Sequence, residues 1–306
     1  MTKVIEVDRS YKVWWHLMRP HTLTASFVPV FLGTTIALTT QGKPINFPLF
    51  FAMLVASMLI QAATNMFNEY YDYKLGLDHE HSVGIGGTIV RHGVAPRTIM
   101  AIALSFYGVA LLLGIYICAM SSWSLAAVGL VCMLIGYLYT GGPYPIAYSP
   151  FGELVSGTVM GMGIVLIAFF IQTKTITLEA ILLAIPSMIL VGAIMLSNNI
   201  RDIVGDKEGG RKTMAILVNR HNAVYILSLF FIVSYLWIVG LVIIEDLTYW
   251  ALIVLLSIPK PIKAIEIFRH KKEPLEVMPA MKFTAQTNTM FGFLLASGLL
   301  ISYLFF

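Results

Sequence analysis

Two clusters of Asn and Asp have the residue types and spacing to do chemistry. They are Asn68-Glu-Tyr-Tyr-Asp72-Tyr-Lys-Leu-Gly-Leu-Asp78 and Asn198-Asn199-Ile-Arg201-Asp202-Ile-Val-Gly-Asp206-Lys-Glu-Gly-Gly-Arg211-Lys212-Thr213. In the second, Asn198, Asp202 and Asp206 stand at i, i+4 and i+8, so a helix would put three oxygen-bearing side chains on one face. Asn68 and Asp72 repeat that spacing. Asp78 lies six residues beyond Asp72, off that face, and Gly76 is expected to turn the chain and bring this carboxylate back. Hard oxygen ligands grouped this way suit Mg²⁺, which keeps several waters and joins a few carboxylates to substrate phosphates. The expectation is a metal-diphosphate site with Asp72, Asp78, Asp202 and Asp206 as metal ligands.

A lone Asp at a membrane boundary would be read as a solvated helix end. Here two matched frames each carry Asn four residues before Asp, and each is followed by glycine and basic residues. Carboxylates that close repel one another unless cations bind between them. The neighbouring loops supply what a diphosphate needs besides metal. Gly209-Gly210 frees the backbone ahead of Arg211 and Lys212, and the loop from Gly84 to Gly93 brings Arg91 on another glycine-rich segment. Arg can grip phosphate oxygens bidentately, and Lys adds a point charge. Each loop alone is an ordinary cytoplasmic turn; their place beside the acids gives them weight.

The elements that must position these groups are transmembrane helices. Of the 306 residues 58% are apolar and only 12% charged, with a mean hydropathy of +0.81, far from a soluble average. Nine apolar runs approach the roughly 20 residues a helix needs to cross a bilayer. They fall at about 23–40, 47–68, 98–119, 123–140, 153–172, 178–198, 223–243, 248–264 and 285–305. Of the 20 Lys and Arg, only Lys43 and Lys174 fall on the poorer side of this topology. The richer side is therefore cytoplasmic, with the N-terminus inside, the C-terminus outside and the cytoplasmic loops at about 69–97, 199–222 and 265–284.

The net charge of +4 calls for no nucleic-acid partner, because positive-inside bias and anionic headgroups account for it. No cleavable signal peptide is evident in the first 22 residues. Residues 11–20, with Trp14, Trp15 and Arg19, read as an interfacial helix. Cys118 and Cys132 read as small packing residues in the third and fourth spans. With no long polar linker, 1–306 reads as one domain. Asn68/Asp72 and Asn198/Asp202 are each offset by 130 positions, which suggests an ancient repeat with both clusters facing one cavity.

A water-soluble diphosphate would not require a site at the mouth of a helix bundle. A lipid diphosphate would, with its headgroup on Mg²⁺ and its tail running between helices. Mg²⁺ and the basic side chains would stabilise the departing diphosphate, leaving an electrophilic allylic carbon. Tyr139, at the cytoplasmic end of the fourth span, could stabilise that cation through its ring; an interfacial belt tyrosine is the alternative.

These residues are where the chain resembles the UbiA superfamily of intramembrane aromatic prenyltransferases. The likeness runs through Arg19 to Pro29, Asn65 to Asp78, Ser82 to Gly93, Tyr137 to Glu153, Asn198 to Thr213 and Ala285 to Asn288. Many members space the first motif N-x₃-D-x₃-D; Asp72-x₅-Asp78 is similar to the branch that acts on 1,4-dihydroxy-2-naphthoate and argues against 4-hydroxybenzoate. The resemblance implies an all-α bundle of nine transmembrane helices in a bacterial cell membrane, two Mg²⁺ ions and a polyprenyl diphosphate donor. It also implies decarboxylative C-prenylation of 1,4-dihydroxy-2-naphthoate, giving demethylmenaquinol for menaquinone synthesis. Carried over position by position, Asn68, Asp72, Asp78, Asn198, Asp202 and Asp206 form the metal-diphosphate set. Arg91, Arg201, Arg211 and Lys212 bind the diphosphate, and Tyr139 joins the catalytic group.

The acceptor is harder to place. Gln61 and Asn65 lie one and two turns before the first cluster on a similar face, where each could hold a naphthol hydroxyl or bridge helices. Arg19 could pair with the acceptor carboxylate or snorkel to the headgroups. Gln286 and Asn288 read as interhelical glue, and His79, His81 and His92 as solvated loop histidines with proton transfer open to them. Two other classes compete. Another aromatic acceptor is possible within the family, and a cation-coupled transporter shares the polytopic repeat, although its ion sites would lie near the midplane on broken helices. The D-x₂-D-G-x₂-A-R pattern of CDP-alcohol phosphotransferases is missing.

Overall fold

The computed structural model describes residues 11–20, 22–77, 87–245 and 247–305, and among them every regular element is helical. In chain order these are α1 (Tyr11–Leu17), α2 (Thr24–Gln41), α3 (Phe47–Lys74), α4 (Thr88–His92), α5 (Pro96–Met120) and α6 (Leu125–Leu138). A 3₁₀ turn (Ile146–Tyr148) leads to α7 (Gly152–Ser156), which runs through a π-helical turn (Gly157–Gly163) into α8 (Ile164–Thr173). Then come α9 (Leu178–Glu208), α10 (Met214–Ile244), a 3₁₀ helix (Tyr249–Ser257), α11 (Pro259–His270) and α12 (Pro274–Phe305).

The two helices that carry the acidic clusters begin with explicit stops. Asn46 caps α3 by accepting the Leu49 N–H at 3.1 Å, and Pro48 sits in the first turn, where a missing N–H is harmless. Thr177 caps α9 through the Ala180 N–H at 3.2 Å. At its far end α3 stops at Gly76, whose φ of 73° is left-handed, so the expected turn is there. α3 packs along α5, α9 along α10, and α2 lies between α8 and α12. Small residues set the closest approach: a Cβ on Gly161 would stand 2.5 Å from the Ser187 carbonyl oxygen of α9, and one on Gly157 would meet that of Met188.

Two cores hold the cluster-bearing helices. Leu32, Phe169, Leu190, Phe231 and Phe291 join α2, α8, α9, α10 and α12. Val13, Leu17, Met66, Phe67, Ile89 and Ile99 join α1, α3, α4 and α5. The interfacial reading of α1 fits this packing: Val13 and Leu17 point inward, while Tyr11 and Trp15 are exposed.

Among the described residues six helices are long and apolar enough to cross a membrane, namely α3, α5, α7 through α8, α9, α10 and α12, and α6 is a shorter apolar helix of 14 residues. Several expected boundaries move. The run at 248–264 is not one helix: a 3₁₀ helix ends at Ser257, and Pro259, which cannot donate to a preceding turn, starts α11. The expected loop at 265–284 is mostly helical, because Phe268, Val277, Ala280 and Met281 are buried and extend α11 and α12 beyond the apolar run. The expected loop at 199–222 shrinks to the segment between Glu208 and Met214 and a kink at Asn219 (φ 66°, ψ 162°) near the start of α10, since the second acidic cluster is itself the last turns of α9. In the loop expected at 69–97, α3 runs on to Lys74, and α4 and the start of α5 are helical.

Candidate active site

Both acidic clusters open on one cavity of about 1420 Å³, larger than the roughly 300–1,000 Å³ of a typical small-molecule site. Asn68 and Asp72 reach it from α3, and Asn198, Asp202 and Asp206 from α9. Away from them the wall becomes apolar: Met53 and Ile60 of α3, Ile115 and Ile117 of α5, Leu130 and Met133 of α6, and Ile164 and Ile167 of α8. Met53 stands 19 residues before Asp72 on one continuous helix, or about 28 Å at 1.5 Å per residue, close to the thickness of a hydrocarbon core.

At the polar end Arg211 joins the clusters. Its Nη2 donates to Asp72 Oδ1 at 2.5 Å and its Nη1 to Asp206 Oδ1 at 2.9 Å, and the guanidinium lies 5.0 Å above the Tyr148 ring. Burial opposes this charge, but the carboxylates of Asp72 and Asp206 outweigh it and hold Arg211 above its ordinary range. Asn68 Nδ2 donates to the second oxygen of Asp72 at 2.9 Å. Asp202 is gripped in a fork by Arg201, whose Nε and Nη2 donate at 2.6 and 2.5 Å while Nη1 reaches the sulfur of Met281. Asn198 lines the cavity one turn before Asp202.

These donors suit Mg²⁺ in type and convergence, because Asp72 and Asp206 already share one cation. Among the described residues no group of three or more His, Cys, Asp or Glu is arranged to hold an ion by itself. A divalent ion here would therefore complete its shell with phosphate oxygens and water. Asp78, with His79 and His81, lies outside the described residues.

The remaining expected residues divide. Arg91, on α4, lines the cavity with its guanidinium against Gly87, whose φ of 94° and missing Cβ leave that space. Arg201 and Arg211 line it too, but both are engaged by the carboxylates themselves. Lys212 is exposed and is not part of the lining, because its backbone N–H is fixed to the Tyr148 carbonyl at 3.0 Å beside the buried Thr213. Tyr139 lines the cavity and is partly buried, with its hydroxyl 3.0 Å from where a Cβ on Gly152 would be.

Gln61, Asn65 and Arg19 line the same cavity. Asn65 is also structural: its Nδ2 lies 3.0 Å from the Met18 carbonyl and 2.9 Å from Thr22 Oγ1, tying α3 to the turn before α2. Arg19 turns inward, 4.0 Å from Glu69 Oε2, so it does not snorkel. Asn288 Nδ2 lies 3.4 Å from the Thr24 carbonyl, as glue between α12 and α2. Both cysteines are free thiols.

Three groups escaped the sequence reading. Tyr148 supplies the ring beneath Arg211. Glu69, 1% exposed, accepts the Ile89 N–H at 3.2 Å and so docks α4, the helix that carries Arg91. Glu153, 3% exposed, accepts from Asn199 Nδ2 at 2.8 Å. The two carboxylates had a signal: an acid inside an apolar helical segment is a functional candidate by default.

Comparison with known proteins agrees with this fold and gives the family. The sequence profile of the UbiA prenyltransferase family matches residues 26–285. The 1,4-dihydroxy-2-naphthoate octaprenyltransferase of Bacillus subtilis (strain 168) is 60% identical over 292 residues, covering 95% of this chain and 93% of that protein. The fold is similar to that of a UbiA homolog from Aeropyrum pernix K1, with a TM-score of 0.69 at 15% identity, covering 93% of this chain and 98% of that one. A UbiA homolog from Archaeoglobus fulgidus bound to GPP and Mg²⁺ matches with a TM-score of 0.61 at 14% identity, covering 93% and 99%.

Proposed function

The chain belongs to the UbiA prenyltransferase family, and from that premise we propose that it moves a polyprenyl group from polyprenyl diphosphate to 1,4-dihydroxy-2-naphthoate. Diphosphate and CO₂ leave, and demethylmenaquinol results, a step of menaquinone biosynthesis. The observation that carries this reading is the meeting of Asp72 and Asp206 on Arg211 at the polar end of a long, mostly apolar cavity. The polar end fits a diphosphate and the apolar length fits a polyprenyl tail. The 60% identity to the Bacillus subtilis enzyme supports the naphthoate acceptor.

Asp72, Asp78, Asp202 and Asp206 hold Mg²⁺, taken as two ions, with Asn68 and Asn198 beside them. When bound, the metal supplies positive charge against the oxygens of the departing diphosphate. Arg211 can exchange Asp72 and Asp206 for phosphate oxygens once another cation neutralises those carboxylates, and its planar fork suits either partner. Arg201 does the same beside Asp202. Arg91 approaches from α4, and Lys212 adds charge from the rim. The Tyr139 ring faces the allylic carbon as positive charge develops. Asn65 and Arg19 hold the aromatic acceptor, Arg19 through the carboxylate that is lost.

The chain forms one prenyltransferase domain over 1–306, crossing a bacterial cell membrane nine times. The six long apolar helices, together with α2, α6 and the 3₁₀–α11 segment, supply those passes. The N-terminus and the mouth of the cavity face the cytoplasm and the C-terminus lies outside, a reading that the distribution of Lys and Arg supports.

The test is product formation by purified protein supplied with each candidate acceptor. Prenylated, decarboxylated naphthalenediol formed from 1,4-dihydroxy-2-naphthoate supports the reading; product from 4-hydroxybenzoate instead would replace the acceptor.

A further inference from the structure

Glu153 has no part in the chemistry described so far. It sits in the first turn of α7, and one of its oxygens, Oε1, accepts the Asn199 Nδ2–H at 2.8 Å. The other, Oε2, is buried without a hydrogen-bond partner. Leaving a carboxylate oxygen in that state is costly, and an acid kept at such cost within a membrane-spanning segment points to function.

Asn199 itself is on the cavity wall. It is adjacent to Asn198 but rotated by about 100° around α9, so it leaves the row formed by Asn198, Asp202 and Asp206. Its partner lies on the neighbouring helix, where the Tyr139 hydroxyl stands over Gly152, the residue before Glu153. Tyr139 and Asn199 are thus on the cavity wall, with Glu153 behind Asn199 and hydrogen-bonded to neither Arg211 nor its two carboxylates.

A carboxylate only accepts hydrogen bonds, so it fixes which end of an amide faces it. With Nδ2 held by Glu153, Asn199 has its Oδ1 left to offer, and an amide oxygen accepts from a hydroxyl while repelling a carboxylate.

We propose that Glu153 is a positioning residue of the acceptor subsite: it turns Asn199 Oδ1 toward the cavity, where that oxygen accepts a hydrogen bond from a ring hydroxyl of 1,4-dihydroxy-2-naphthoate. This rests on the aromatic-acceptor reading above. Glu153 touches no substrate; Asn199 makes the contact, and the Tyr139 ring lies beside it. The ring is thereby oriented by its hydroxyl, which leaves its carboxyl-bearing carbon to be presented to the allylic cation.

The experiment measures steady-state kinetics of full-length protein in detergent, varying 1,4-dihydroxy-2-naphthoate and polyprenyl diphosphate separately. Glu153→Met removes the carboxylate at similar size, and Asn199→Ala removes the contact. Each is expected to raise the acceptor KM about tenfold, the worth of one hydrogen bond, while the donor KM stays within about twofold of wild type. The double variant is expected to be no worse than the more impaired single variant, because the two act as one unit. Glu153→Gln, which keeps an accepting oxygen, is expected to recover most of the acceptor affinity lost in Glu153→Met. An acceptor KM at the wild-type value in both Glu153→Met and Asn199→Ala would overturn the proposal. So would an equal rise in both KM values, which would mark a merely structural role. If Glu153→Met does not fold, Asn199→Ala decides by the same two readouts. Failure of the wild type to prenylate the naphthoate would be a different result, removing the acceptor reading itself and the subsite with it.

Discussion

Asp72 and Arg211 are 139 positions apart in the chain and meet at 2.5 Å. The same guanidinium holds Asp206, so one side chain from the α9–α10 connection ties the acidic ends of α3 and α9 together. A cation is built into the place where the proposed chemistry needs cations, and in that proposal a metal ion takes over from it.

Replacing Arg211 tests that exchange. Arg211→Gln leaves two largely buried carboxylates without the cation they share, and the loss of stability should be roughly 3–5 kcal/mol. The thermal midpoint should fall in metal-free buffer and recover more on adding Mg²⁺ than the wild-type midpoint rises. Equal Mg²⁺ responses in the two proteins would mean that the ion does not take over from Arg211. Arg211→Lys should restore only part of the stability, because an ammonium lacks the fork that reaches both carboxylates.

Asp72→Asn and Asp202→Asn keep the size of each side chain while removing charge. Both should lower product formation roughly a hundredfold or more, in protein that still elutes as a folded species from detergent chromatography. Near-normal turnover in either would remove that residue from the metal-diphosphate set.

Glu69 bears on the site at second hand, by accepting the Ile89 N–H and docking α4. Glu69→Leu strands that buried donor and takes away the carboxylate facing Arg19, a destabilisation of roughly 1–3 kcal/mol centred on α4 and the turn at Arg19. Hydrogen exchange at residues 88–92 should quicken, and the KM for polyprenyl diphosphate should rise as Arg91 loses its platform. Glu69→Gln, which keeps the accepting oxygen, should do neither.

Much of the site was legible in the sequence because its signal is local. The i, i+4, i+8 spacing of Asn198, Asp202 and Asp206 lies within α9, and Gly76 does make the turn after α3. What the sequence could not show were contacts between distant segments: Arg211 on Tyr148, Asn199 on Glu153, Asn65 on Met18 and Thr22. Hydropathy placed the apolar runs but stopped each helix where charges begin. The helices α3, α9 and α12 continue past that point, because tertiary packing of Glu69, Ile200 and Val277 extends them. Lys212 shows another such limit: it follows Arg211 in sequence, yet its side chain is exposed outside the cavity lining, a difference that the run of basic residues does not reveal.

The π-helical turn between α7 and α8 offers a stability test away from the polar groups. Gly157→Ala would drive a Cβ into the Met188 carbonyl of α9, backbone that cannot move aside as a side chain can. A loss of roughly 1–3 kcal/mol is expected, seen as a lower thermal midpoint. Gly108→Ala, where a Cβ meets nothing within 4 Å, should leave the midpoint within a degree or two and serves as the control.

The central claim is that the two acidic clusters act together on a lipid diphosphate and a naphthoate. The most direct measurement is mass spectrometry of the product made by purified protein from polyprenyl diphosphate and 1,4-dihydroxy-2-naphthoate, with Mg²⁺ and again with EDTA, beside a parallel reaction on 4-hydroxybenzoate. The account predicts a prenylated, decarboxylated naphthalenediol only when Mg²⁺ is present, and no 4-hydroxybenzoate product. Folded protein that yields no naphthalenediol with Mg²⁺, or the same amount with EDTA, would contradict it.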